Sequence, residues 1–145
     1  LPVDRALLAS LLEDVRDRVR LLREKAPQDA GSISADRLRW EGALRLLQTS
    51  IEGCIAIANH LIAGLGLAPA ADNADSFAAL HRAGILRDVT LVQKLQAAAR
   101  FRNLVVHGYR RIDPARVLPF LKSDINDLEA CCREVAVYLD AHPEG

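Results

Sequence analysis

The chain contains no methionine, one tryptophan, two tyrosines and three phenylalanines, so aromatic residues make up only 4% of it. Leu, Ala, Val and Ile must therefore supply most of any core. Net charge is lacking as well, with 19 basic residues against 19 acidic ones. That balance argues against a protein that coats nucleic acid through global electrostatics, and it leaves a local site open. No uninterrupted apolar run approaches the roughly 18 residues of a membrane-spanning helix, so no membrane partner is expected. The first residues lack the charged lead, apolar run and cleavage site of a secretory signal, and the expected compartment is the cytoplasm. Cysteine is scarce. Cys54, Cys131 and Cys132 are odd in number, lie in apolar helical contexts and form no Cys-x-x-Cys pair. They read as buried reduced thiols rather than as a disulfide framework or zinc site. The absence of a glycine-rich phosphate loop and of a Gly-x-Ser-x-Gly elbow removes nucleotide hydrolysis and serine-hydrolase chemistry.

What is present is a chain of 145 residues that is half hydrophobic. Residues 1–145 suit a single domain with a real core, and they are too apolar for a disordered chain. Leu8, Leu11, Leu12, Val15, Val19 and Leu22 recur at three- and four-residue spacing and predict a helix over 4–25, with Pro27 just past its end. Residues 28–34 are small and polar and read as a connector, with Ser34 as an N-cap. A second, long helix carries Leu44, Leu47, Ile51, Cys54, Ala58, Leu61 and Leu65 on its stripe, and Gly66 suits its C′ position. Gly42 and Gly53 inside it each cost about 1 kcal/mol relative to Ala and suggest close helix–helix approach. A short helix is expected over 76–83, stopping at Gly84. Asp88 can cap the next helix, through Leu91, Leu95, Ala98 and Val105 to His107-Gly108. Asp113-Pro114 starts the last one, with Val117, Leu121, Ile125, Leu128, Cys132, Val135 and Leu139 on its stripe and Pro119 bending its first turn. No run alternates with period two. The expected fold is all-α, an antiparallel bundle of four main helices plus one short helix.

One segment departs from the charge balance. From Lys94 to Arg116, Lys94, Arg100, Arg102, Arg110, Arg111 and Arg116 stand against a single acid, Asp113, within 23 residues. A charge run by itself is usually a solvated face. Arg102 is different, because Leu91, Leu95, Ala98, Arg102 and Val105 fall within about 40° of one line on a helical wheel. An arginine in the middle of an apolar stripe must snorkel, find a partner or line an interface. His107 ends the same helix, where the dipole favours a protonated imidazole. Asn103 shares its face, which allows a hydrogen bond or a common ligand. Arg102 and His107 point about 140° apart on an ideal helix. A shared site then needs the reach of the arginine, a distorted helix end or a second subunit. Gly108 lets the backbone turn out and present Tyr109 at the rim. His60 and His81 read as packing residues and His142 as terminal. No two histidines have ligand spacing on one face, so no metal is assigned. Trp40 could stack a base, and core or dimer packing is the preferred reading.

The run Arg102-Asn103-Leu104-Val105-Val106-His107-Gly108-Tyr109, with its spacing Arg-x4-His-x-Tyr, resembles the signature of HEPN-domain ribonucleases, in particular the HepT-like toxins of toxin–antitoxin systems. Phe101, Ile112-Asp113 and the earlier run Ile55-Ala56-Ile57-Ala58-Asn59-His60-Leu61-Ile62 are also similar to that family, so the likeness extends from the second helix to the last. The resemblance implies a metal-independent endoribonuclease without a cofactor, in which the ribose 2′-hydroxyl attacks the adjacent phosphorus. His107 fits the acid or base of that reaction, since an imidazole titrates near neutrality. Arg102 fits stabilisation of the phosphate charge, and Asn103 positioning. A homodimer would bring two copies of the segment into one cleft. Tyr109 corresponds to the tyrosine adenylylated by a small nucleotidyltransferase antitoxin. Arg110 and Arg111 read as RNA-backbone or antitoxin contacts, and Arg100 as an RNA contact. A second reading stays open, a non-catalytic HEPN module that binds nucleotide or a nucleotidyltransferase.

Overall fold

The computed structural model describes residues 3–108 and 112–143, and among these it contains helices and no strand. Four long helices form the body, α1 (Arg5–Lys25), α3 (Arg37–Gly64), α5 (Val89–Gly108) and α7 (Ile125–Ala141). Shorter ones join them, α2 (Ala30–Ala35), α4 (Asn73–Arg82) and α6 (Pro114–Pro119). Contacts fix the directions. Gly53 lies beside Val15 and Gly64 beside Val3, so α3 runs antiparallel to α1. Arg5 bonds the Leu139 carbonyl while Arg23 bonds Asn126 and Glu129, which sets α7 antiparallel to α1. Lys94 pairs with Asp127 and the Arg87 N–H with Glu134, so α5 opposes α7. The result is the expected all-α antiparallel bundle, with α4 packed against α3 and α5.

The stripes read from spacing are the core. Leu8, Val15, Val19, Leu47, Ile51, Ala58, Leu61, Leu95, Leu128 and Val135 are all fully buried. The three cysteines are buried and free, with the Cys54 thiol against the Leu128 carbonyl at 3.8 Å. By length and composition α3 is apolar enough to cross a bilayer, although no uninterrupted apolar run is that long. Half of its most apolar stretch is buried inside the bundle, as befits a central core helix touching α1, α4, α5 and α7.

Four local expectations change. Residues 30–35 form α2 rather than a connector, because the Asp29 carboxylate accepts the Ser32 N–H at 2.7 Å. Ser34 lies inside that helix, and the cap of α3 is Asp36, which accepts the Arg39 N–H at 3.0 Å. The short helix expected over 76–83 starts earlier, at Asn73, behind an Asp72 cap. The last helix does not run on smoothly past Pro119. A π-helical segment, Phe120–Asp124, separates α6 from α7. Pro119 has no N–H to continue the ladder, the Ser123 hydroxyl donates to its carbonyl at 3.1 Å, and the register widens until Ile125 bonds back to Phe120. Gly66 and Gly84 have φ of 67° and 79°, the left-handed conformation that ends α3 and α4 as their positions required.

Candidate active site

The site begins with α5. Asp88 caps it through the N–H groups of Thr90, at 2.9 Å, and Leu91, at 3.3 Å. Leu95, Ala98 and Val105 then pin one side of the helix into the core. Phe101 stacks on Phe120, ring centroids 4.8 Å apart and planes within 9°, so the π-helical segment sets the rotation of α5 one residue from Arg102.

Of the three outcomes open to an arginine on the apolar stripe, Arg102 takes the second and finds a partner. Its Nε donates to Oε2 of Glu52 on α3 at 3.0 Å, and Nη2 donates to the same oxygen. Nη1 donates to the Asn103 side-chain oxygen at 3.1 Å. Gln48, one turn before Glu52, donates to Glu52 Oε1 at 3.4 Å. The arginine and glutamate side chains retain 25% and 32% of their exposure. A pair so open to water stabilises the fold by no more than about 1 kcal/mol, so its main consequence is to fix where the guanidinium points. Sequence reasoning missed Glu52. Its signal was an acid flanking the apolar stripe of α3, and spacing within one helix does not say which neighbour such a residue faces.

His107 is exposed near the end of α5, as are Asn103 and Leu104. Among the described residues no hydrogen bond joins His107 to Arg102 or Asn103. The amide that could have bonded the imidazole accepts from the guanidinium instead. The helix stays regular through Gly108, so its end is not distorted to close the angle between Arg102 and His107. Arg100 is exposed on the same helix. Tyr109, Arg110 and Arg111 lie outside the described residues. A groove of about 310 Å³ between α3 and α5 is lined by Glu41, Leu44, Arg45, Gln48 and Val105, next to the Glu52–Arg102 pair.

The other histidines separate. His60 is exposed, which corrects the expectation that it packs, because its position falls on the outer face of α3 beside Asn59. His81 Nδ1 lies 2.7 Å from the Leu86 carbonyl and ties the turn after α4. His142 stacks on Tyr138. Trp40 packs in the core. Among the described residues no group of three His, Cys, Asp or Glu side chains could hold a metal ion.

Residues 13–135 match the family described as ribonuclease HepT-like. The chain belongs to that family. Its fold is also found in a structure described as the tri-AMPylated HEPN toxin of Shewanella oneidensis in complex with MNT antitoxin. That chain is 20% identical, with 90% of this chain and 96% of that one covered and a TM-score of 0.79. A toxin–antitoxin structure described as MntA–HpeT carrying a mutation is 20% identical over 90% of this chain and 98% of that one, with a TM-score of 0.79. YutE from Bacillus subtilis, described as a cytosolic protein of unknown function, is 17% identical over 99% and 95%, with a TM-score of 0.83. At these identities the likeness is one of fold. No curated protein matches the chain at a significant level.

Proposed function

We propose that the chain is the toxin of a toxin–antitoxin pair, a metal-independent endoribonuclease that works as a homodimer and is silenced by a nucleotidyltransferase antitoxin. The observation that carries this reading is the arrangement on α5, a guanidinium held in place by Glu52 and Asn103 and an exposed imidazole five residues on, within the region that matches HepT-like ribonucleases.

In the reaction, the ribose 2′-oxygen forms a bond to phosphorus as the bond to the 5′-oxygen breaks, leaving a 2′,3′-cyclic phosphate and a 5′-hydroxyl. One group must take the 2′-hydroxyl proton, another must protonate the leaving oxygen, and a cation must face the phosphorane oxygens. His107 supplies proton transfer and Arg102 the cation, with Asn103 holding the guanidinium. A single chain offers one such histidine and sends it away from Arg102. Two chains about a two-fold axis supply two histidines and two arginines to one cleft. The exposed Leu104, between Asn103 and His107 on the outer face of α5, is the kind of side chain such a seam would cover.

Tyr109 is the proposed acceptor of AMP, which would place bulk and negative charge where RNA phosphates enter. Arg100, Arg110 and Arg111 are the proposed RNA-backbone contacts. The Shewanella neighbour, described as AMPylated and bound to its antitoxin, supports the class of partner.

The test is cleavage of total RNA in the presence of EDTA by wild type and by His107→Ala. Wild-type activity that survives EDTA, leaves cyclic phosphate ends and disappears in the variant is the expected result. A wild type free of AMP by intact mass and as inactive as the variant would favour the non-catalytic binding module. A dimer with its two His107 residues far apart would remove the composite cleft.

A further inference from the structure

We infer that Glu52 is a positioning residue for Arg102, holding the guanidinium so that one defined edge meets the scissile phosphate. The inference rests on the ribonuclease reading above and adds a residue that the Arg-x4-His-x-Tyr motif does not contain.

The donor geometry leads to it. A guanidinium carries five N–H groups in one plane. Glu52 Oε2 takes the Nε–H and one proton of Nη2, and the Asn103 oxygen takes one proton of Nη1. One N–H on each Nη is left, and the plane that carries them is held from two sides. Glu52 is itself restrained, since Gln48 donates to its other oxygen and both residues stand on the rigid central helix α3. The assembly reads outward from Gln48 through Glu52 and Arg102 to Asn103. It leaves the guanidinium with its two remaining donors for the paired acceptor oxygens of a phosphate.

The same carboxylate has an opposing effect on binding. A negative charge beside Arg102 weakens the pull on an anionic substrate while fixing the geometry of the cation. Orientation and attraction are therefore coupled in opposite directions through one side chain. Removing Glu52 should damage turnover and spare or improve binding. A residue that merely stabilised the fold would show no such split.

The experiment compares steady-state cleavage of a short single-stranded RNA, and thermal unfolding, for wild type, Glu52→Ala, Glu52→Gln and Glu52→Asp. Glu52→Ala is expected to lose roughly 10- to 100-fold in kcat, the scale of a misplaced catalytic group, with KM unchanged or lower. Glu52→Gln keeps an oxygen able to accept both N–H groups and is expected to retain kcat to within about fivefold. Glu52→Asp keeps the charge but shortens the reach by one methylene, so it is expected to lose about tenfold in kcat with KM unchanged. It carries the test if the alanine variant does not fold. Glu52→Ala or Glu52→Asp cleaving like wild type would overturn the inference. So would a raised KM in all three variants, or losses that follow unfolding temperature alone. A wild type that cleaves beside unimpaired Glu52 variants sinks this inference alone. A wild type that is free of AMP by intact mass and still does not cleave sinks the ribonuclease reading and this inference with it.

Discussion

At the scale of single residues, the informative feature is a conflict between type and place. Arg102 sits where the helical pattern calls for a leucine, and that conflict was visible from spacing alone. Its resolution was not, because Glu52 lies 50 positions earlier on another helix and nothing local links the two. The cysteines show the opposite case, where type and place agree. Cys54, Cys131 and Cys132 are fully buried. Hydrogen bonding to the other two thiols, together with burial, pushes the Cys54 thiol above its usual range. The bond to Cys54 holds the Cys132 thiol below its own, so it is burial that shields all three. The native protein should therefore give almost no reaction with a thiol-specific disulfide reagent at pH 8, and all three cysteines should react once it is unfolded in denaturant. Rapid labelling of the folded protein would contradict their place in the core.

At the scale of elements, the acidic residues that cancel the basic segment have a second use. Asp4, Asp29, Asp36, Asp72, Asp88 and Asp113 each accept a backbone N–H at the start of a helix. Each satisfies a donor that the helix leaves open, and the carboxylate complements the dipole. The caps at Asp88 and Asp113 were readable because an apolar stripe or a proline follows at once. Those at Asp29 and Asp36 were hidden in a polar stretch without periodicity. Two glycines of α3 separate what looked alike in sequence. A Cβ at Gly53 would lie 2.5 Å from the Val15 methyl, and Val15 is short, branched and fully buried, so it has no room to yield. A Cβ at Gly42 would meet nothing within 4 Å. Gly53→Ala should lower stability by about 1–3 kcal/mol through overpacking. Gly42→Ala should raise it by about 0.5–1 kcal/mol through helix propensity. Denaturant unfolding of both variants checks the pair, and shifts of the same sign would contradict the packing of α1 on α3.

At the scale of the whole molecule, the chain is neutral and its one basic segment runs through α5 into the residues that follow it. RNA affinity on the proposed reading should fall steeply with salt, by an amount set by the phosphates contacted and not by the net charge of zero. Arg100→Ala should make the salt dependence shallower by about one counterion. An unchanged slope in binding titrations at several salt concentrations would remove Arg100 from the interface. By itself the sequence determined the long amphipathic helices, their buried faces and the segment where chemistry concentrates, because amphipathic periodicity acts over a few neighbouring residues. Only the tertiary structure decided that Gly53 is a contact and Gly42 is not, that the chain widens into a π-helix after Pro119 to set Phe120 on Phe101, and that Glu52 holds Arg102. Those outcomes depend on which faces of distant helices meet, and that is settled by packing the whole bundle at once.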